Sequence, residues 1–289
     1  MLGFPSEFLR EEVFLLRARS GRGDNAQGGD AVDILNALFR WLHILAGVVW
    51  IGMLYFFNWV NGPFAATMDG DTKKKVVPEL MPRALFWFRW GAAWTWVTGV
   101  LLLLIVFYHG GIMFDGDKGW SAGAGVMVAV TFLAPFLYDA LHKSGLGKDP
   151  KVFGAVAFVL VAVVVVLMAT WGGFSYRAFN IHLGALFGST MAFNVWYRIW
   201  PGQQKIITAV KGGTAPDPAV AALAGARSRH NTYMSVPLLW AMINSHTTTV
   251  TTQIGIPGEY GYVLLLLVIL LGWHIVWHLY KRAPKVKGF

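Results

Sequence analysis

The chain has 289 residues, of which 56% are hydrophobic, 15% aromatic and only 13% charged, with a formal net charge of +9. Soluble domains carry about 25% charged residues, so this composition excludes an ordinary soluble single-core protein and points to lipid as the main solvent. Cysteine is absent, which excludes disulfides, Cys-ligated clusters and a covalently attached c-type haem; the basic residues are divided among short segments, which argues against nucleic acid as a partner.

Residues 1–32 contain Glu7, Arg10, Glu11, Glu12, Arg17, Arg19 and Arg22 without the apolar run of a cleavable signal. They read as an N-terminal tail or a short amphipathic helix over 4–20. Seven apolar stretches follow, at 33–60, 84–108, 120–140, 152–170, 180–200, 232–251 and 260–280. Each is near the roughly 20 residues that span a bilayer. Breakers separate them, among them Asn61-Gly62-Pro63, Gly172-Gly173, Pro201-Gly202 and Pro257-Gly258. The runs are continuously apolar and do not alternate, so they predict helices and not a barrel. The expected fold is an all-α polytopic bundle of about seven transmembrane helices over 33–282. A Gly/Ala/Pro-rich connection at 201–231 is the one long loop, and 283–289 is a short tail.

Loop charge sets the expected orientation. Sixteen basic residues, counting Arg198 at the end of the fifth span, fall in the first, third and fifth loops and the C-terminal tail, against two, Lys118 and Arg177, in the second, fourth and sixth loops. The positive-inside rule puts the C-terminus in the cytoplasm and the N-terminus outside.

Ionisable groups inside spans are costly and therefore candidates for function. They are Arg40, His43, Arg89, His182, His246, His274 and His278. At about 1.5 Å rise per residue, His182 matches His246 in depth near the outer surface, and His43 matches His274 near mid-membrane. Such pairs suit bis-imidazole ligation of a b-type haem. Arg40, Gly47 and Trp50 share the face of His43, with Arg40 suited to a propionate. Hydrogen bonding between helices accounts for the same histidines equally simply. At the end of the sixth span, Asn244, Thr248 and Gln253 belong to a run of amide and hydroxyl groups suited to a polar heterocycle. An ordinary helix end entering water remains the alternative.

Three stretches carry a family likeness: His43–Met68 (HILAGVVWIGMLYFFNWVNGPFAATM), Pro82–Leu104 (PRALFWFRWGAAWTWVTGVLLLL) and Ser228–His246 (SRHNTYMSVPLLWAMINSH), with NVWYRIWPGQQKII at 194–207. Over about 33–282 the chain resembles the membrane domain of the bacterial cytochrome c-coupled urate oxidase, or urate hydroxylase. The resemblance implies a multi-pass protein of the bacterial inner membrane that oxidises urate to 5-hydroxyisourate and passes electrons to cytochrome c. Members of that family carry an eighth span and a cytochrome c domain. This chain is expected to lack both and so to need a separate cytochrome c or oxidoreductase subunit, as an oligomer or in a larger complex. Two other readings stand beside it. One is a haem b electron-relay or membrane-anchor subunit; the other is a small-solute transporter, against which no inverted repeat is evident.

Overall fold

The computed structural model describes the backbone of residues 6–244, 253–257 and 260–287, and side chains from residue 31 onward. The chain is helical almost throughout. Helix α1 runs Ser6–Tyr55, α2 Gly62–Thr67, α3 Gly70–Leu102, α4 Ala122–Lys143, α5 Pro150–Thr170, α6 Tyr176–Asn194, α7 Trp200–Lys211, α8 Pro218–Asn244 and α9 Gly261–Arg282. Among the described residues there is no strand, only a single β-bridge between Phe114 and Phe174.

Every one of the seven predicted spans has its helix, and three of the helices, α1, α3 and α8, begin well before the expected boundary. Helix α3 starts at Gly70 because Asp69 caps it, accepting from the Thr72 amide at 2.9 Å and the Thr72 hydroxyl at 2.8 Å. The stretch expected to be a long loop is mostly helical: α7 packs on α3 and α8, and α8 begins at Pro218. Gly202 makes this possible. A Cβ there would meet the Ala224 Cβ at 3.1 Å, so the start of α7 seats directly on α8.

Among the described residues, five segments are long and apolar enough to cross a membrane: 31–67, 70–109, 122–143, 150–170 and 261–285. Helices α6 and α8 are more polar and occupy the interior instead. Thirteen of the nineteen residues of α6 are buried, and α6 packs against α3, α4, α5, α8 and α9. Its asparagines, serine and threonine are thereby screened from lipid, which is what permits them at this depth. Helix α1 packs chiefly on α3, where a Cβ added at Gly91 would lie 3.1–3.3 Å from the α1 backbone at Ala46 and Trp50. Only a glycine allows helices that close. The outer face of α1, with Ile34, Leu38, Trp41, Ile44 and Val48, is exposed and suited to acyl chains.

Three π-helical turns interrupt the spans, at Phe56–Asn61, Leu103–His109 and Val195–Ile199. Each carries a polar side chain into the interior. Asn58 donates to Ser228 Oγ at 2.8 Å and accepts from Tyr280 at 2.8 Å, joining the end of α1 to α8 and α9. Tyr108 reaches His182 and Arg198 reaches Asp139.

The Arg198–Asp139 contact belongs to an ion-pair cluster near the end of the bundle where the basic loops lie. Asp139 on α4 receives two bonds from Arg198, at 2.9 and 2.5 Å, and one at 2.7 Å from Arg227 on α8. Arg227 has no exposed surface and also lies 4.7 Å from the centre of the Tyr138 ring. Asn194 donates to Asn231 Oδ1 at 2.8 Å, and Asn231 donates to the Met191 carbonyl at 3.0 Å, extending the network into the core. Lys143 also reaches Asp139, at 2.8 Å, but is mostly solvent-exposed and contributes little.

Candidate functional site

His182 lies at the opposite end of the bundle from the ion-pair cluster and is fully buried. The N-terminal turn of α6 positions it. Ser175 caps the helix by accepting from the Ala178 amide, and its own amide and hydroxyl donate to the carbonyls of Met113 and Ile112 at 2.9 and 3.0 Å. That pins the connection between α5 and α6 to the one between α3 and α4. Phe107, Tyr108 and Phe174 wall the imidazole, and Trp120 packs edge-on against Tyr108.

Hydrogen bonding decides the tautomer. His182 Nδ1 lies 2.7 Å from the Ala178 carbonyl, which can only accept, so Nδ1 carries the proton. In the neutral ring Nε2 is then a lone pair, and it accepts from the Tyr108 hydroxyl at 2.9 Å. His43 is held the same way: its Nδ1 donates to the Thr95 carbonyl at 2.9 Å, which again leaves Nε2 as the basic nitrogen. Anchoring the far nitrogen on a carbonyl is how metal-ligating histidines are oriented, and it equally prepares a base.

The remaining candidates are distributed as follows. Arg40 donates to Asn36 one turn earlier at 2.9 Å. Gly47 faces Thr95, whose methyl would lie 3.8 Å from an added Cβ, so the space beside it belongs to the α1–α3 packing. His274 is on the exposed face of α9, with its Nε2 3.0 Å from Nε2 of His278 and its ring stacked on Trp277. No hydrogen bond or ring contact joins His43 to His274. His246 and Thr248 lie outside the described residues, so the match of His182 with His246 is open. Asn244 is buried and donates to the Tyr176 hydroxyl at 2.6 Å, whereas Gln253 is exposed. Arg89, a candidate for reaching outward to the headgroups, lies 4.0 Å over the Trp200 ring.

The fit to haem is thus split. The donor chemistry at His43 and His182 suits iron. At His182, however, Tyr108 holds the nitrogen and aromatic rings fill the surroundings, so a ligand there requires Tyr108 to swing away. Among the described residues no group of three or more His, Asp or Glu side chains is placed to hold a metal ion.

Two features of this end escaped the sequence reading. They are the aromatic pair Tyr108 and Trp120, and Asn180. Asn180 is fully buried; its amide donates to the Tyr176 carbonyl at 2.8 Å while its Oδ1 has no partner. A lone asparagine in an apolar run gives no periodic signal. A usable one existed: an asparagine and a histidine two residues apart inside an otherwise apolar span. Together Asn180, His182, Tyr108, Tyr176 and Asn244 bring acceptors, donors and one basic nitrogen to a single end of the bundle.

Comparison with known proteins returned one finding. No curated protein and no solved structure matches the chain. The family model described as urate oxidase N-terminal matches residues 68–287, about three quarters of the chain, from the start of α3 through α9. That region contains the α6 core, His182 with its tyrosine, and the ion-pair cluster, and on that match the chain belongs to the urate oxidase N-terminal family.

Proposed function

We propose that this protein is a membrane-bound urate-oxidising redox protein that converts urate to 5-hydroxyisourate and passes the electrons to a separate cytochrome c. The family match over 68–287 is the observation that carries the reading. The reaction removes two electrons and two protons as a C–O bond forms from water to C5 of urate. His182 supports it by offering a neutral nitrogen able to accept a proton, in a site where Asn180, Tyr176 and Asn244 can complement a purine's amide-like edges. Asn244, Thr248 and Gln253 are the proposed substrate contacts. In detergent, urate should drive reduction of added cytochrome c, with little turnover when no acceptor is supplied. Sustained oxygen consumption without an acceptor would overturn the cytochrome assignment.

A haem b relay is the second reading, favoured by the shared tautomer of His43 and His182. Haem would supply one-electron storage within the membrane. Its proposed ligands are His43, His182, His246 and His274, with Arg40 toward a propionate. A reduced-minus-oxidised optical spectrum of the purified protein tests this directly, and a haem-free protein removes it.

The expected setting is the bacterial inner membrane, with the basic end of the bundle in the cytoplasm. Single cysteines can be placed without background, since the native chain has none. Cysteines at Ser144 and Gly212 should resist impermeant thiol reagents in intact cells. One at Gly119, where an added Cβ meets nothing within 4 Å, should react. The reverse pattern would invert the orientation.

A further inference from the structure

Helix α5 stands away from its neighbours. Behind it lies a cavity of about 770 Å³, bounded by α4, α5, α6, α8 and α9. Small residues on α5, Gly154, Ala155 and Ala157, leave the room. The lining on α5 runs from Pro150 to Val164, which at about 1.5 Å per residue is roughly 20 Å of depth.

The two ends of this cavity differ. Toward Val164 the walls are aliphatic. Toward the basic end they are aromatic and polar, with Tyr138, Phe153, His230, Tyr233 and Trp277 beside Lys151 and Arg229. His230 is bonded to the Tyr138 hydroxyl through Nδ1 at 2.7 Å and stacked on Phe153 at 4.8 Å and 8°. Tyr138 oxygen already accepts from Asn194 at 3.4 Å, and the Arg227 guanidinium lies over the Tyr138 ring. Its own proton therefore goes to His230 Nδ1, and the neutral ring carries its single N–H proton on Nε2 as a donor. Trp273, another lining residue, has a buried indole N–H with no partner. An orphaned donor in an apolar wall is expensive, and a carbonyl acceptor would relieve it.

We infer that this cavity binds a lipid-soluble quinone, with its ring at the Tyr138–His230 end and its isoprenoid tail along α5. The aromatic slot suits a flat ring, the donors suit quinone carbonyls, and the aliphatic depth suits a branched tail. A phospholipid would fill the same depth with chains, but Arg229 is turned onto the Tyr280 ring at 5.2 Å and not toward an anionic headgroup. The binding stands independently of the urate reading.

The test is binding of decylubiquinone to the purified full chain without urate, followed by quenching of tryptophan fluorescence. Saturable quenching is expected. Gly154→Leu should weaken binding at least about tenfold by filling the cavity, since an added Cβ there meets nothing within 4 Å. His230→Ala should weaken it by about tenfold through loss of a donor. Gly154→Leu removes no hydrogen bond, so it keeps the test valid if His230→Ala folds poorly. Equal binding by wild type and Gly154→Leu would overturn the inference. So would co-purified phospholipid that decylubiquinone fails to displace, or a bound haem lost in His230→Ala. Quinone binding alongside failed urate turnover would leave the cavity assigned and remove only the urate reading.

Discussion

Replacing Asp139 by alanine is expected to destabilise the folded protein by roughly 3–5 kcal/mol, the usual cost of removing one partner from a buried ion pair. The size follows from what is left behind. Arg227 has no exposed surface, its Nε already lacks a partner, and Arg198 points at the same carboxylate. Without Asp139 two guanidinium groups face each other with no counter-charge in a medium of low dielectric. Whole-protein stabilities run about 5–15 kcal/mol, so the variant should show a clearly lowered thermal midpoint in detergent and poor yield. Asp139→Asn keeps hydrogen-bond acceptance without charge and should fall between the two. Adding Arg227→Met to Asp139→Ala should recover part of the loss, because it removes the stranded cation; strict additivity of the two changes would mean they do not interact. A wild-type midpoint for Asp139→Ala would show that the cluster is not what ties α4 to α8.

The second large effect is expected at His182. Changing it to alanine removes the basic nitrogen and should lower urate-dependent cytochrome c reduction at least about 100-fold, the lower range for a positioned acid or base. Tyr108→Phe should keep most of that activity, because the Ala178 carbonyl alone holds the ring in its tautomer. The optical spectrum separates the two roles open to Nε2: loss of a haem signal marks an iron ligand, and an unchanged spectrum marks a proton acceptor. His109→Ala serves as the control, since His109 is exposed at the end of its π-helical turn. Undiminished turnover in a folded His182→Ala protein would make this histidine a packing residue.

Hydropathy made the bundle legible, since each apolar run of about 20 residues has one economical solution in lipid. It could not tell a lipid-facing helix from an interior one. Helix α6 reads as one more span, yet its polar residues are tolerated only because five other helices surround it. The ion-pair cluster was illegible for a different reason. Arg198 and Arg227 were counted as loop charges, and their carboxylate is 59 and 88 positions away. The clue was Asp139 itself, an acidic residue inside the third predicted span. For the histidines, counting residues gives depth but not azimuth. His43 and His274 share a depth in the count, while the fold turns one toward α3 and the other outward from α9.

The three π-helical turns bear on how relatives of this chain should be aligned. Such a turn is an α-helix holding one residue more than its pitch requires, so chain length and rotational phase become separable there. A homologue can lose one residue within 56–61, 103–109 or 195–199 and still keep an unbroken helix. Every side chain beyond the gap would then be rotated by about 100°, one residue's share of an α-turn. Asn58, Tyr108 and Arg198 each depend on that phase for their partners. A single-residue gap at one of these turns therefore separates homologues that keep the corresponding contact from those that have given it up, even where the residue itself looks unchanged.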